Sequence, residues 1–151
     1  MARFNFSMQN ILDMKEKLEE QAKNEYAEAN MRLMDEQEKE AALAKRQEQA
    51  EIRLAKILHE QLAVMEIRRR EEAVEILKMY KKQQQLAVKR CEKEVEAARE
   101  RLQLAMQERK MYEKLREKAF EKFLKEELDK EQKEVDERNS YQYGTAAQTT
   151  N

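Results

Sequence analysis

The sequence contains no proline, no tryptophan and a single glycine, Gly144, among its 151 residues. Proline costs about 3 kcal/mol and glycine about 1 kcal/mol in the interior of a helix. The stretch from Met1 to Tyr143 therefore lacks both of the residues that usually end helices. Glutamate, lysine, arginine, glutamine, alanine, leucine and methionine fill most of it, a composition typical of long helices. We predict an all-α protein.

Residues that carry catalysis or bind metals are scarce. The chain has one cysteine, Cys91, one histidine, His59, and two serines, Ser7 and Ser140. One cysteine and one histidine cannot supply a disulfide, a catalytic triad or a metal cluster, and no glycine-rich phosphate-binding loop is present. We expect no enzymatic activity and no cofactor. His59 is interpreted as a partly exposed helix residue, with pH sensing or partner contact as the alternative, and Cys91 as a small packing residue.

The charge balance and the hydropathy pattern exclude further classes. Lysine and arginine number 31 and aspartate and glutamate 32, so the net charge is −1 and gives no basic field for nucleic acid. No run approaches the roughly 20 apolar residues of a transmembrane helix, and the start MARFNF lacks the apolar stretch of a signal peptide. We expect a cytoplasmic protein with no transmembrane segment.

The first half of the chain predicts an amphipathic helix. Ser7 can cap the free amides, and Phe6 and Ile11 have the spacing of a hydrophobic staple, so helix 1 is predicted over about 8–58. Apolar residues then recur at steps of three or four and share one face. They are Ile11, Met14, Leu18, Ala22, Tyr26, Ala29 and Leu33, continued with gaps by Leu43, Ala50, Leu54, Ile57 and Leu58.

The second half repeats this design with the alternating steps of a coiled-coil seam. The seam residues are Val88, Cys91, Val95, Ala98, Leu102 and Ala105. An apolar stripe on a lone helix cannot be buried, so we predict a single domain over 1–140, a long antiparallel two-helix coiled-coil hairpin. The turn is predicted between 58 and 72, helix 2 over about 72–139, and a disordered tail over 141–151.

This hairpin makes predictions about assembly and charge. We expect the isolated chain to be a monomer in which residues near Leu18 lie beside residues near Leu128; a scaffold that dimerises through the same seam is the alternative. Residues 1–30 and 111–151 carry a net charge of −4, whereas residues 31–110 carry +3. Arg68, Arg69 and Arg70 near the turn could contact anionic lipid or an acidic protein, although a solvated turn is the simpler interpretation.

Both ends of the chain resemble one known family, the flagellar export protein FliJ. Phe4 to Ala29 reads FNFSMQNILDMKEKLEEQAKNEYAEA and is similar to the family's opening, in which paired phenylalanines precede an apolar helical stripe. Glu108 to Asn139 resembles its closing segment, above all in EQKEVDE at Glu131 to Glu137. The middle of the chain resembles the family only in length and helicity.

The resemblance implies a component of the flagellar type III export apparatus, similar in form to the stalk of a rotary ATP synthase. It implies three partners: a hexameric export ATPase, a membrane export gate protein and export chaperones. It also implies peripheral association with the cytoplasmic face of the membrane at the flagellar base. The alternatives are a generic cytoplasmic coiled-coil scaffold and a membrane-surface helix protein; for the latter, no segment has a strongly basic face opposite bulky apolar residues.

Two sets of candidate contact residues follow from the resemblance. For the ATPase, a stalk that meets several identical subunits in turn is served by dispersed charge near the chain termini. These candidates are Lys15, Lys17, Glu121, Lys122, Glu126, Lys130 and Lys133. For the export gate, the candidates share a face early in helix 2 and are Ala73, Leu77, Tyr80 and Gln84, with Tyr80 as the anchor. A competing interpretation assigns Leu77 and Tyr80 to the seam.

Overall fold

The computed structural model describes residues 2–60 and 63–149, and the side chains of these residues as far as Thr145. It contains two α-helices, α1 over Gln9–Leu58 and α2 over Val64–Thr149, and no strand within the described ranges. The two helices pack against each other, so the fold is an all-α helical hairpin. This confirms the fold class predicted from the sequence.

The helix ends reflect local hydrogen bonding. The amide of Leu12 donates to the carbonyl of Met8 at 3.0 Å, which makes Met8 the residue that flanks the first turn of α1. At the other end, the amide of His59 donates to the carbonyl of Lys56 and that of Glu60 to the carbonyl of Ile57, so tight turns satisfy two of the last carbonyls of α1. α2 opens in the same manner, with the amide of Glu66 donating to the carbonyl of Ala63 at 3.0 Å.

α2 is longer than the predicted second helix in both directions. It begins at Val64, ahead of the predicted start near residue 72, and continues to Thr149, through residues from 141 onward that the sequence assigned to a tail. Gly144 lies inside the helix; one glycine costs only about 1 kcal/mol, and no proline stops the chain. Gln61 and Leu62 in the predicted turn region, and Thr150 and Asn151 in the predicted tail, lie outside the described residues.

The unit Glu19–Ala105 is held by an antiparallel seam. Its buried apolar side chains are Ala22, Ala29, Ile57, Val74, Val88 and Ala98. Between them, half-buried residues continue the alternating three-and-four spacing along both helices. Gln84 pairs with Glu36 and Arg101 with Glu25, so later residues of α2 meet earlier residues of α1. The helices of this unit are therefore antiparallel.

The unit Met1–Leu18 with Met106–Asn151 has its own antiparallel contacts. Lys15 pairs with Glu108 at 2.9 Å, and the ring of Phe4 lies 5.1 Å from that of Phe120, with an interplanar angle of 74°. Phe6 and Leu12 are the buried apolar residues of this unit. The segment before α1 thus packs on α2 through aromatic side chains.

The register of this unit corrects one expectation. Leu18 does not lie beside Leu128, because the ion pair of Lys15 with Glu108 places the start of α1 about twenty residues earlier along α2. Leu128 is 65% exposed. The cause is the position of the connection between the helices, which spans only residues 59–63, whereas the expectation assumed a turn centred later in the chain.

The first residues of the predicted stripe are also placed differently. Ile11, Met14 and Leu18 are 39%, 60% and 43% exposed, whereas Leu12 is buried and Lys15 is half-buried. The seam spacing of α1, followed back from Ala29 and Ala22, reaches Glu19, Lys15 and Leu12 rather than the apolar residues just before them. At the start of α1, the helical spacing therefore decides which side chains face α2, even where a polar residue takes the seam position.

Candidate functional site

The seven candidate ATPase contacts all belong to the unit that contains the chain termini. Six of them are exposed: Lys17, Glu121, Lys122, Glu126, Lys130 and Lys133. Lys130 makes one long ion pair with Glu127, at 3.9 Å. Because exposed ion pairs contribute little to stability, these charges can meet a partner at small cost to the hairpin.

Lys15 is the exception, because it serves the hairpin itself. Its Nζ donates to Glu108 Oε2 at 2.9 Å and lies 6.0 Å from the centre of the Tyr112 ring. The hydrogen bond to Glu108 is the main reason that the pKa of Lys15 is raised above its ordinary value. A partner that bound the ammonium group of Lys15 would have to displace it from the carboxylate of Glu108 on α2.

Beyond Phe123, α2 offers a surface that the sequence did not reveal. Every described side chain from Leu128 to Thr145 is exposed. Leu124, Leu128 and Val135, three large apolar residues near or within this stretch, are 46%, 65% and 48% exposed. Leu124 and Leu128 are four residues apart and share one face of α2, and Val135 follows seven residues later. No residue in the sequence marks this surface. It follows from the position of the connection at residues 59–63, which leaves α2 longer than α1.

The four candidate gate contacts do not share one exposed face. Leu77 and Gln84 are half-buried at seam positions, in step with Val74 and Val88. Gln84 Nε2 donates to the main-chain carbonyl of Glu36 at 2.8 Å and also to its carboxylate. Leu77 and Gln84 therefore belong to the packing between the two helices.

Ala73 and Tyr80 are exposed, and Tyr80 retains 51% of its accessible surface. The sequence missed two exposed apolar neighbours on the same stretch of α2, Ile76 at 46% and Met79 at 55%. Ala73, Ile76 and Tyr80 are spaced by three and four residues, so they lie on one side of the helix. We call these three residues and Met79 the Tyr80 patch.

Cys91 and His59, the two residues whose side chains could take part in catalysis or metal binding, lie at a seam position and on the surface respectively. Cys91 is half-buried at a seam position, and burial is the main cause that raises the pKa of its thiol. His59 is exposed just after α1. Among the described residues, no group of three or more histidine, cysteine, aspartate or glutamate side chains could hold a metal ion.

Comparison with known proteins decides the family. The family model described as "Flagellar FliJ protein" matches residues 4–148, nearly the whole chain. The chain belongs to this family. No curated protein and no solved structure matches it significantly.

Membership of the FliJ family makes the chain a component of flagellar export, a protein transport process. The family is a non-catalytic part of that apparatus, and its partners belong to flagellar export in general. None of the described helices is long and apolar enough to cross a membrane. The match over residues 4–148 confirms the resemblance seen at the two ends of the sequence and extends it through the middle.

Proposed function

We propose that this FliJ-family chain is a cytoplasmic, non-catalytic coupling protein. In this proposal the unit Met1–Leu18 with Met106–Asn151, here called the terminal unit, enters the ring of the hexameric export ATPase. The observation that supports the proposal most is the stretch of α2 from Leu128 to Thr145, where every described side chain is exposed, in a chain whose family works in flagellar export. In this proposal the hairpin acts as a stalk, links the ATPase to the membrane export gate and handles export chaperones at the base of the flagellum.

Charge supports the terminal unit as the end that meets the ring. A stalk inside a ring of identical subunits must contact each in turn without locking to one of them. Alternating exposed charges such as Glu121, Lys122 and Glu126 give many weak, reversible contacts. The exposed Leu124 and Leu128, four residues apart on one face of α2, add a small apolar contact to these charges.

Stimulation of the cognate ATPase, measured with the full chain, tests this assignment. Contacts between exposed charges are screened over about 8 to 10 Å near physiological ionic strength, so stimulation should fall as salt rises. The variant K122E/K130E/K133E should lose most of the stimulation while its helicity by circular dichroism stays unchanged.

The matched control is R68E/R69E/R70E, which reverses the same number of charges of the same sign near the turn. It should stimulate the ATPase as well as the unaltered chain does. Loss of stimulation in the turn variant alone would show that the opposite end enters the ring. If the unaltered chain has no effect on the ATPase at any salt concentration, the coupling role is wrong.

For the export gate we propose the Tyr80 patch as the contact surface, with Leu77 and Gln84 supporting it from the seam. Exposed tyrosines supply contact area at a small entropic cost. Tyr80→Ala should weaken binding to the soluble part of the gate protein and leave thermal stability nearly unchanged. Met31→Ala, at a similarly exposed methionine on α1, is the control. A variant Tyr80→Ala that loses stability but still binds the gate would assign Tyr80 to the hairpin instead.

A further inference from the structure

The turn end of the hairpin exposes large apolar side chains on both helices. Leu58, the last residue of α1, is 58% exposed, and Val64 and Met65, the first two residues of α2, are 66% and 67% exposed. They project where one helix ends and the next begins, rather than lining a groove. Apolar side chains that project from the end of a helix can be buried in a fluid apolar environment, which needs no pre-formed pocket.

Arginines stand directly behind these apolar residues. Arg68 follows Val64 by four residues and Arg69 follows Met65 by four, so each arginine lies about one turn, or about 6 Å, further along the same face of α2. Arg68, Arg69 and Arg70 are all exposed, and the ion pairs of the described residues include none of them.

Charge near the turn contrasts with that of the whole chain. Residues 52–70 hold five arginines and lysines against two glutamates, a net charge of +3 in a chain of net charge −1. Glu71 and Glu72 follow, but they lie seven or more residues after Val64, about 10 Å or further along α2. Glu66 is the one carboxylate of α2 between the apolar residues and the arginines, and three arginines outnumber it.

We propose that the turn end binds the surface of an anionic lipid bilayer. Leu58, Val64 and Met65 enter the boundary between headgroups and acyl chains, and Arg68, Arg69 and Arg70 pair with lipid phosphates one turn above them. Stable attachment to a membrane surface requires two signals, and this end of the hairpin supplies both an apolar and a cationic one. None of these residues is among those proposed to contact the ATPase, and the test of this site does not depend on that proposal.

Co-sedimentation of the full chain with vesicles provides the first test. The chain should bind vesicles of phosphatidylcholine with phosphatidylglycerol and should not bind phosphatidylcholine alone. R68Q/R69Q/R70Q should weaken binding about fivefold for each charge removed. V64N/M65N should weaken it about tenfold or more. The control M31N/M34N, at two methionines that are 67% and 60% exposed elsewhere on α1, should bind normally.

A fluorescent reporter tests which residues enter the bilayer. Because the chain contains no tryptophan, V64W and M31W each introduce a single probe. The emission of V64W should shift to the blue with anionic vesicles, while that of M31W should not move. The proposal is overturned if anionic vesicles fail to bind the chain, if neutral vesicles bind it equally well, or if both probes respond alike. Binding to anionic vesicles that only the arginine substitutions weaken would show adsorption by charge alone, and would contradict the insertion of Leu58, Val64 and Met65.

Discussion

Gln84 and Glu36 connect the two helices across the seam, because Gln84 Nε2 donates both to the main-chain carbonyl of Glu36 at 2.8 Å and to its carboxylate. Both residues are half-buried at positions where a coiled coil usually has apolar residues. Gln84→Ala removes the donor and should lower the free energy of unfolding by about 1 kcal/mol, the usual net contribution of a hydrogen bond. Chemical denaturation measures this change, with Gln83→Ala, at an exposed neighbour, as the control.

The same contact predicts how stability depends on pH. The hydrogen bond from Gln84, and then that from Lys39, lower the pKa of Glu36 below its ordinary value of 4.5. A carboxyl group whose pKa is depressed in the folded state stabilises the fold above its unfolded pKa, and this contribution is lost as pH falls through the folded value. Denaturation at a series of pH values below 4.5 should show a steeper loss for the unaltered chain than for Gln84→Ala. Equal slopes would contradict the assigned cause.

Cysteine cross-linking tests the register of the terminal unit. In a chain with Cys91→Ser, a short bismaleimide cross-linker should join the pair K15C/E108C within one chain, because the side chains of Lys15 and Glu108 meet in the structure. The pair L18C/L128C should remain unlinked within the chain. Denaturing electrophoresis separates the products, and predominantly intermolecular links would favour a parallel dimer over the hairpin.

The aromatic contacts before α1 should stabilise the terminal unit. The ring of Phe4 lies 5.1 Å from that of Phe120 and 5.5 Å from that of Phe123, and Arg116 lies 5.9 Å from its centre. Aromatic pairs contribute about 0.5 to 1.5 kcal/mol each beyond the area that they bury. Phe4→Ala should therefore increase hydrogen exchange in α2 around residues 116–123. Tyr141→Ala, at a side chain that is 77% exposed, should leave exchange there unchanged.

The sequence predicted the fold because its strongest signals are local. The absence of proline and the regular spacing of Val88, Cys91, Val95 and Ala98 are sufficient for two long helices and a seam, and the resemblance at both ends is sufficient for the family. The register is a different matter, since no glycine or proline marks the connection. An error of a few residues in the turn moves every contact across the hairpin by twice that number.

The candidate surfaces were predictable only in part for the same reason. Lys15 reads as a surface lysine in the sequence, but its ammonium group pairs with Glu108, which can be found only when the opposite helix is aligned. Leu128 reads as a seam residue, but α1 does not extend far enough to cover it. In both cases the missing information is the position of the partner helix, which composition and periodicity do not contain.

The most direct test of the proposed function is a pull-down of the tagged full chain from a cytoplasmic extract of the bacterium that encodes it. We predict that a hexameric export ATPase is retained by the unaltered chain and by R68E/R69E/R70E, and that K122E/K130E/K133E fails to retain it. Retention of the ATPase by the terminal variant but not by the turn variant, or no ATPase with any of the three, would contradict the account.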